Sequence, residues 1–596
     1  MMTPMTESLP TWDLTDLYAG VDDPAIAADL AAMIDDAGAF AGTYKGTLAA
    51  ASANPPHLLT AILMYETLLA RIYKVSSFSS LLFSLDAKDQ KRGALMQKVR
   101  EASSDVQSKL LFFDLELGTL PDEVYSAAIA SDALADYHHY LEQQRSHARH
   151  FLSEPEEKIL VETANSRGRA FVRLFDEIGA RTTYTLEYGG ESGEVPQSEI
   201  LSKLYEPDRE LRKAAAAGVS KALAQNAHAG TYIYNTLLHE KDVIDRLRGY
   251  PAPEASRHLA NELDAAVIET VTSVCVANFD MVADYYRIKG KLLDIPDLTH
   301  YDRYAPIGDT NEEIPYSAGK DIVLEAFAGF SPRLAELVEP FFQNGWIDAP
   351  VAEGKRSGAF CAGVTPDHHP YVLLNYTNKA RDVMTLAHEL GHGVHDVLAS
   401  RNTLLNYHPV LPMAETASTF AEMLVYQTLS KRLDSREDRI ALICDKLEDS
   451  FATIFRQISM YRFEQDAHRE RREHGEVPIE RFNELWQANQ QAMFGDALTL
   501  GDEHAAWWLY IPHIIHTPFY VYAYAFGELL VMSLYARYEE EGDAFIEHYF
   551  ELLAVGGSKT PAQMLSEMGI DVADRAFWQG GCDVVRARLS ELQGIV

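Results

Sequence analysis

Apolar residues recur at three- and four-residue spacing along most of the chain, as in residues 58–72 (LLTAILMYETLLARI). Side chains at this spacing share one face of an α-helix. Two segments look extended instead: residues 181–188 (RTTYTLEY), rich in Thr and Tyr, and residues 371–376 (YVLLNY). Prolines and glycine pairs break the helical runs, and no fixed-period repeat is found. The pattern predicts a mainly α fold with a few short strands.

The stretch 181–196 (RTTYTLEYGGESGEVP) separates an N-terminal helical region from a long helical remainder. The 596 residues are too many for one ordinary hydrophobic core, which favours subdomains or one large helical body around a cavity. We therefore expect a boundary near residue 200, with residues 1–200 and 201–596 as the two regions.

Composition and charge exclude several classes of function. With 52 Lys and Arg against 88 Asp and Glu, the formal charge of −36 disfavours nucleic acid and anionic membranes as partners. The four cysteines, Cys275, Cys361, Cys444 and Cys582, form no CxxC pair, so neither a disulfide framework nor a thiolate metal site is indicated. No leader-like N-terminus and no run of about 20 uncharged apolar residues is seen. The sequence predicts a soluble cytoplasmic protein.

One segment carries a metal-binding pattern. Residues 382–397 (DVMTLAHELGHGVHDV) are compatible with a helix that Asp382 caps, and they contain His388, Glu389 and His392 in an HExxH spacing. Histidines four residues apart project from one helix face, so both imidazoles can reach one ion while Glu389 flanks the metal-bound water. This predicts a hydrolase with one Zn²⁺ per chain.

A catalytic zinc site needs a third protein ligand and an open position for water. Downstream, Glu415 begins another helical run, and we assign it as that ligand. A third histidine in the longer HExxHxxGxxH pattern is excluded, because Leu398 occupies its position and His395 that of the glycine. His395 is expected to pack near the site, and Glu422 to orient a ligand histidine or to lie in solvent.

Amide hydrolysis places negative charge on the carbonyl oxygen, which Tyr or His donors usually help to stabilise. Such donors cluster in residues 512–527 (PHIIHTPFYVYAYAFG). An aromatic core stripe is the alternative, but beside a zinc motif we favour donors. If the segment is helical beyond Pro518, Tyr520 and Tyr524 share a face. The candidates are His513, Tyr520 and Tyr524 for the oxyanion and His516 for substrate contact.

A second accessory element precedes the motif. In residues 356–363 (RSGAFCAG), the glycines allow a ligand to approach the backbone closely. His369 follows, and then the apolar segment 371–376, which we expect to offer a strand edge to an extended peptide. Gly358, Ala359 and His369 are therefore candidate substrate-binding residues.

Blocks along nearly the whole chain resemble oligoendopeptidase F, within the thimet oligopeptidase-like metallopeptidases. Many blocks in the family's order are far more specific than HExxH alone. They are WDL from residue 12, LY from 17, HFLS from 150, EE from 156, RGY from 248, GAFCAG from 358, PYVLLNY from 370, LAHELGH from 386, AETAST from 414, FYVYAYAFG from 519 and GGS from 556.

The resemblance implies a two-lobed helical body that encloses a deep substrate channel, with residues 1–200 in its wall and zinc at its base. It implies endopeptidase action on short unstructured peptides. His388, His392 and Glu415 match the family's zinc ligands and Glu389 its general base, while residues 513–524 match its His and Tyr donors less closely.

Two rival functions stay open. A metallocarboxypeptidase would use the same zinc site but require a free C-terminal carboxylate on its substrate. A catalytically silent peptide-binding protein would use the same channel, although a complete set of ligands and a general base argues against it. The sequence leaves the cleavage preference and the oligomeric state undetermined.

Overall fold

The structure, a computed structural model, describes residues 8–52, 54–308, 313–433 and 435–596. It is 72% helix and 3% strand, so the prediction of a mainly α fold with a few short strands is confirmed. Long amphipathic segments form the helices, and Asp residues cap several of them, as Asp89 and Asp208 do through bonds to the first free backbone N–H groups.

The helices of the described residues are numbered in chain order. They are α1 Pro24–Tyr44, α2 Leu48–Ser52, α3 Pro55–Leu85, α4 Gln90–Gly118, α5 Asp122–Ile129, α6 His138–Ala148, α7 Glu154–Thr163, α8 Gly168–Arg181, α9 Gln197–Ser202, α10 Arg209–Arg248, α11 Ala255–Ala260, α12 Ala265–Ala277, α13 Asp280–Leu292, α14 Tyr316–Phe330, α15 Pro332–Gln343, α16 Ala380–Ala399, α17 Leu411–Ala414, α18 Thr416–Arg432, α19 Arg436–Ser450, α20 Arg456–His474, α21 Ile479–Phe494, α22 His513–His516, α23 Tyr522–Glu541, α24 Asp543–Ala554, α25 Pro561–Glu567 and α26 Arg575–Ile595.

Short 3₁₀ turns and one π turn connect some of these helices. The 3₁₀ turns are Asp132–Tyr137, Ala164–Ser166, Lys203–Tyr205, His300–Asp302, Leu404–Asn406 and Asp502–Tyr510, and the π turn is Phe451–Phe455.

Five short strands form two small sheets. They are β1 Tyr184–Tyr188, β2 Glu191–Val195, β3 Ile347–Asp348, β4 Phe360–Ala362 and β5 Tyr371–Leu373. Strands β1 and β2 make an antiparallel hairpin closed by a glycine pair with positive φ. In the second sheet β5 lies between β3, which is parallel to it, and β4, which is antiparallel.

The chain divides into two compact units, each assembled from three stretches. The first contains Met1–Glu154, Asn311–Arg432 and Arg537–Gly569, and the second contains Pro155–Thr310, Leu433–Ala536 and Ile570–Val596. Residue 200 lies inside the second unit, and the division into domains at that point stays a prediction.

In the first unit, α1, α3 and α4 pack around a core that includes Met33, Phe40, Val75 and Phe113, all fully buried. Tyr371 of β5 joins the same core. Helices α14, α15, α18 and α24 pack against α16, the helix that carries the HExxH motif. The motif helix is thus enclosed by neighbours, which fixes the orientation of its side chains.

In the second unit, the 40-residue helix α10 is the central element and packs against α8, α20 and β1. A buried charge network holds its N-terminal turn. Asp302 accepts hydrogen bonds from Arg212 Nη2 at 3.0 Å and Arg209 Nη2 at 2.9 Å, and Asp302 and Arg212 are at most 1% exposed. This network fixes the segment that follows Asp302 relative to α10.

One stretch, Ala265–Leu292, is long and apolar enough to cross a membrane by length and composition alone. It consists of the two 13-residue helices α12 and α13, each shorter than the roughly 20 residues that a span needs. Of its most apolar window, 56% is buried inside the protein, as in an ordinary core helix. The stretch is therefore weak evidence for a membrane span.

Replacing Asp302 by Asn should lower the free energy of unfolding by about 3 kcal/mol, because Arg212 would keep its buried charge and lose its carboxylate. Urea unfolding followed by circular dichroism measures the loss. Asp297→Asn, at an exposed position five residues earlier, is the matched control and should stay within about 0.5 kcal/mol.

The same network gives a pH dependence. Burial raises the pKa of Asp302, but hydrogen bonds from Arg209, Thr299 and Arg212 outweigh burial and lower it. The stabilisation is present above the unfolded-state pKa of about 4 and is lost as the pH falls through the lowered folded-state pKa. Asp302→Asn should lack this acid-sensitive part, and an unchanged acid profile would contradict the assignment.

Candidate metal centre

The motif helix α16 begins at a fixed cap. The Asp382 carboxylate accepts hydrogen bonds from the backbone N–H groups of Thr377 at 2.6 Å and Lys379 at 3.1 Å. Two turns further on, His388 and His392 project from one face, with ring centroids 4.9 Å apart. The two imidazoles therefore converge, as four-residue spacing on a helix requires.

Glu415 completes a three-ligand set. It lies between α17 and α18, and its Oε2 atom is 3.4 Å from Nε2 of both His388 and His392. One ligand atom from each residue lies within 4.8 Å of the others. Two imidazole nitrogens and one carboxylate oxygen at this spacing fit a tetrahedral zinc ion with its fourth position open. Among the described residues this is the group whose geometry could hold a metal ion.

A glycine lets the two ligand-bearing helices meet. A Cβ atom at Gly391 would lie 2.6 Å from the Ala417 carbonyl oxygen and 2.6 Å from Ser418 Cα. Both contacts are with the backbone of α18, which cannot move aside as a side chain can. The glycine inside the motif therefore allows Glu415, two residues before Ala417, to reach the histidines.

Glu422, on α18, accepts a hydrogen bond from His388 Nδ1 at 2.6 Å, which directs Nε2 toward Glu415. Burial lowers the pKa of His388, but the bond to Glu422 and the charges of Glu422, Glu415 and Glu389 outweigh burial and raise it to about 9. Without a metal this imidazole carries a proton at neutral pH, so metal binding must release that proton.

Glu415 is held as a carboxylate. Burial raises its pKa, but hydrogen bonds from His392 and Ser418 and the charges of both histidines lower it to about 2. The Ser418 hydroxyl donates to Glu415 Oε2 at 2.7 Å and fixes the rotamer. An ionised carboxylate is the form that a divalent cation binds.

Glu389 is only 6% exposed. Burial raises its pKa, and the charges of His388 and His392 and a hydrogen bond from the Cys361 backbone reduce this rise without cancelling it. A raised pKa brings a carboxylate closer to the range in which it can take up and release a proton near neutral pH. The hydrogen bond from the Cys361 backbone fixes the position of the Glu389 carboxylate, and no sequence motif predicts this contact.

The metal-ligand set opens on a cavity of about 390 Å³ in the first unit. Its lining combines the metal-ligand set and Glu389 with a strand and a loop. The lining residues are Ala359, Phe360, Cys361, Gly363, His388, Glu389, His392, His395, Asp396, His408, Pro409, Ala414 and Glu415.

The expectation that residues 371–376 offer a free strand edge is wrong. Strand β5 is central, because Val372 N–H and Leu374 N–H donate to the β3 side while β4 occupies the other side. The strand that borders the cavity is β4. Since Phe360 and Ala362 face β5, the backbone groups of Cys361 point away from the sheet.

Sequence reasoning missed the loop that brings His408 to the cavity. A Cβ atom at Gly557 would lie 2.2 Å from the His408 carbonyl oxygen, and Gly557 N–H donates to Asn406. Gly556 has φ +54°, and a Cβ atom there would lie 2.6 Å from the Tyr407 carbonyl oxygen. The glycines of the GGS block are therefore required for packing, because the backbone of the loop 406–409 leaves no room for a side chain at either position.

Two further ionisable residues line the cavity. Burial raises the pKa of Asp396 to about 7 and lowers that of His395 to about 3. His395 is therefore a neutral imidazole at the wall of the cavity. Asp396 gave no signal in the sequence, because a single Asp on a helix is ordinary.

The other predicted substrate contacts lie in different surroundings. Ala359 lines the cavity, and Gly358, with φ +81°, accepts a hydrogen bond from Asn375 Nδ2 through its carbonyl oxygen. His369 stacks on Trp346 at a centroid distance of 3.9 Å, and its Nε2 lies 2.7 Å from Asp16. Substrate binding by Gly358 and His369 stays a prediction.

The second unit brings the three predicted oxyanion donors together. The ring centroid of His513 lies 6.1 Å from that of Tyr520 and 5.9 Å from that of Tyr524, and the centroids of the two tyrosine rings are 5.0 Å apart. Burial and the charges of Arg456 and His516 lower the pKa of His513, so it is neutral at pH 7. His516 Nε2 lies 2.7 Å from Asp176.

The aromatic segment begins on an unusual backbone. The helix starts at Tyr522, four residues after Pro518, and Phe519 has φ +58°, a strained value for a bulky residue. The buried Glu464 carboxyl accepts the Phe519 N–H at 2.8 Å and fixes this turn. Tyr522 points into the core, where its hydroxyl accepts from Asn261. Sequence reasoning missed Glu464.

Comparison with known proteins places the site in a family. The model of peptidase family M3 matches residues 202–583, and that of oligopeptidase F matches residues 116–184. An oligoendopeptidase F homolog of Lactococcus lactis is 26% identical, with 99% of this chain and 98% of the relative covered.

Two solved structures share the fold. A crystal structure from Chlamydophila abortus is 24% identical and covers 98% of both chains at a TM-score of 0.86. Oligoendopeptidase F from Enterococcus faecium is 20% identical, covers 95% of this chain and 97% of its own, and has a TM-score of 0.71. At these identities the structures establish the fold alone.

Replacing Gly391 by Ala should separate α16 from α18 and weaken metal binding about tenfold or more, while overpacking lowers stability by about 1–3 kcal/mol. Metal affinity is measured by competition with a fluorescent chelator. Gly38→Ala on α1, where a Cβ atom meets nothing within 4 Å, is the control: it should leave metal affinity unchanged and, as a change from glycine to alanine inside a helix, should not lower stability. Unaltered affinity in Gly391→Ala would contradict the close-approach argument.

Replacing Glu422 by Gln should weaken zinc binding about 10–100-fold, because the carboxylate that orients His388 is lost. The measurement is made at about pH 9.5, above the raised pKa of His388, so that proton competition no longer differs between the two proteins. Glu336→Gln, at an exposed position on α15, should bind zinc as the parent protein does. Equal affinities would show that Glu422 does not orient the ligand.

Proposed function

The chain belongs to peptidase family M3, a metallopeptidase family, and from this premise we propose that it is a zinc-dependent endopeptidase that hydrolyses internal bonds of short unstructured peptides. The observation that carries the proposal is the convergence of His388, His392 and Glu415 within 4.8 Å beside a buried Glu389. Two nitrogens, one oxygen and an adjacent base are the set that a zinc hydrolase needs.

Zinc bound there would polarise the scissile carbonyl and make water acidic enough to attack it near neutral pH. Glu389 takes the proton from the attacking water, since its raised pKa lets it hold that proton during the reaction. It then delivers the proton to the leaving amine. The hydrogen bond from the Cys361 backbone keeps the Glu389 carboxylate directed at the cavity.

Strand β4 is the proposed binding edge for an extended peptide. The backbone of Cys361 faces away from β5, and because its N–H donates to Glu389, its carbonyl oxygen is the group offered to a peptide. Ala359 and Gly363, on either side of the strand, also line the cavity. Main-chain hydrogen bonds to such an edge do not depend on side chains, so they suit varied peptide sequences. Oxyanion stabilisation is assigned to Tyr520 or Tyr524 together with neutral His513.

We propose the cytoplasm as the site of action and peptides, rather than nucleic acid or membranes, as partners. All four cysteines are free, and three are buried. The charge of −36 disfavours polyanionic partners.

Replacing Glu389 by Gln should leave zinc bound but lower kcat at least about 10³-fold, because the amide cannot accept the water proton. Metal content is measured by mass spectrometry and turnover with a quenched fluorescent peptide. Glu415→Gln should instead lower the zinc content itself, and Glu336→Gln should change neither quantity. Near-normal turnover in Glu389→Gln would exclude the assigned base.

Product mapping separates the endopeptidase from the carboxypeptidase alternative. Two libraries of short peptides, one blocked at both ends and one with free C-termini, are digested with and without a chelator and analysed by mass spectrometry. We expect internal cleavage that the chelator abolishes. Release of single C-terminal residues, with no cleavage of blocked peptides, would establish the carboxypeptidase, and binding without any cleavage would establish the silent binding protein.

A further inference from the structure

The second unit contains a cavity of about 630 Å³, larger than the one beside the metal ligands. Its walls come from α8, α9, α10, α20 and the segment 509–513, and the apolar part of the lining includes Phe175, Ile178, Leu201, Leu223, Ile233 and Met460. Polar side chains, among them Asp176, Asn226 and Arg456, complete the lining. Such a lining is typical of a site for a partly apolar ligand that a few polar contacts orient.

Arg456 lines this cavity, and none of the described carboxylates forms an ion pair with it. Its Nη1 donates to the Tyr304 hydroxyl at 3.2 Å, and a further hydrogen bond goes to Tyr510. In the part of the chain that the structure describes, its Nε is buried with no hydrogen-bond partner. The groups that act on its charge are phenols, those of Tyr304, Tyr510 and Tyr205.

A second guanidinium adds to this positive charge. Arg303, 5% exposed, donates to the same Tyr304 hydroxyl at 2.6 Å and lies 4.4 Å from the centre of its ring. Burial raises the pKa of Tyr304, but Arg303 and Arg456 outweigh burial and lower it. Glu448, the carboxylate whose charge acts on Tyr304, is paired with Lys289. The one phenol could neutralise at most one of the two guanidinium groups, so an anion would stabilise the charge that remains.

The lining offers one carboxylate that could compete, and it is already engaged. Asp176, at the cavity wall, lies 2.7 Å from His516 Nε2. Asn226, which also lines the cavity, is neutral and donates to the Thr182 hydroxyl. The cavity therefore combines an apolar wall with an arginine whose charge is not neutralised by the residues around it.

We propose that this cavity binds the part of a peptide substrate that carries an apolar side chain and a carboxylate, with Arg456 as the partner of the carboxylate. A guanidinium donates two parallel hydrogen bonds to a carboxylate, which gives both affinity and orientation. The carboxylate belongs either to the C-terminus of the peptide or to an acidic side chain. The inference rests on the proposed peptidase function and specifies the substrate end that it selects.

The same wall connects the cavity to the predicted donors. His513 lines the cavity, and its ring lies about 6 Å from the rings of Tyr520 and Tyr524. A peptide seated against Arg456 would therefore run past this cluster. Arg456 acts as a specificity-determining residue, because it is assigned to the carboxylate of the substrate and not to the peptide bond that is cleaved.

Binding is measured by titration calorimetry on Glu389→Gln protein, so the result does not depend on turnover. Three N-acetylated hexapeptides are compared: one with C-terminal Leu as the free acid, its amide, and the amide with Glu as the penultimate residue. We expect the free acid to bind about tenfold or more tightly than the plain amide. The Glu amide shows where the bound carboxylate comes from. Its affinity equals that of the free acid only if the cavity also binds side-chain carboxylates.

When Arg456→Gln is added to the Glu389→Gln protein, the preference for the free-acid peptide should be abolished. Arg456→Lys in the same background should retain part of that preference. Arg469→Gln, at an exposed position on the same helix, is the control and should keep the full preference. Asn226→Asp, which places a negative charge in the cavity, gives an independent test and should also reduce the preference. In the active enzyme Arg456→Gln should raise KM for free-acid peptides about tenfold and leave kcat nearly unchanged.

Equal binding of the free acid, the plain amide and the Glu amide by the Glu389→Gln protein would overturn the inference, as would a preference for a carboxylate that survives both Arg456→Gln and Asn226→Asp. These results are distinguishable from failure of the proposed function. If the intact protein cleaves no peptide but its acid preference depends on Arg456, the binding site stands and the chain is a peptide-binding protein. If the intact protein cleaves peptides with and without a carboxylate equally well, only the assignment of the cavity is rejected.

Discussion

The metal centre depends on the close approach of α16 and α18 at Gly391. The two histidines need only a regular helix, but Glu415 reaches them because nothing larger than hydrogen separates the helices there. On the opposite side, a Cβ atom at Gly393 would lie 2.6 Å from the Phe341 ring of α15. The motif helix is thus confined on two sides, and the glycines of the motif are as necessary to the ligand geometry as the histidines.

This close packing sets the electrostatics of the site. Burying three carboxylates, Glu389, Glu415 and Glu422, beside two imidazoles raises the pKa of one carboxylate, lowers that of another and raises that of His388. Chemically identical side chains differ because Glu415 lies between two histidines while Glu389 receives only a backbone hydrogen bond. One carboxylate is thereby suited to hold a cation and the other to carry a proton.

The sequence predicted what depends on local pattern: the mainly helical fold, the HExxH helix and strands in the segments 181–188 and 371–376, within which β1 and β5 lie. The family resemblance supported the same predictions, because the shared blocks contain packing residues as well as catalytic ones. The contacts between segments far apart in the chain could not be predicted from the sequence. The central place of β5, the bond from Cys361 to Glu389 and the support that Glu464 gives Phe519 join residues tens of positions apart, and none has a spacing that a motif could record.

The net charge of −36 is likewise a poor guide to what the interior recognises. Acidic residues on the surface are screened by water and salt within about 10 Å. Arg303 and Arg456 lie where screening is weak, and their neighbours are phenols rather than carboxylates. A negatively charged ligand that the surface repels at long range can still bind at short range. The attraction between two opposite charges in contact inside the protein is stronger than the screened repulsion from distant surface charges. An acidic protein can therefore contain a site that selects carboxylates.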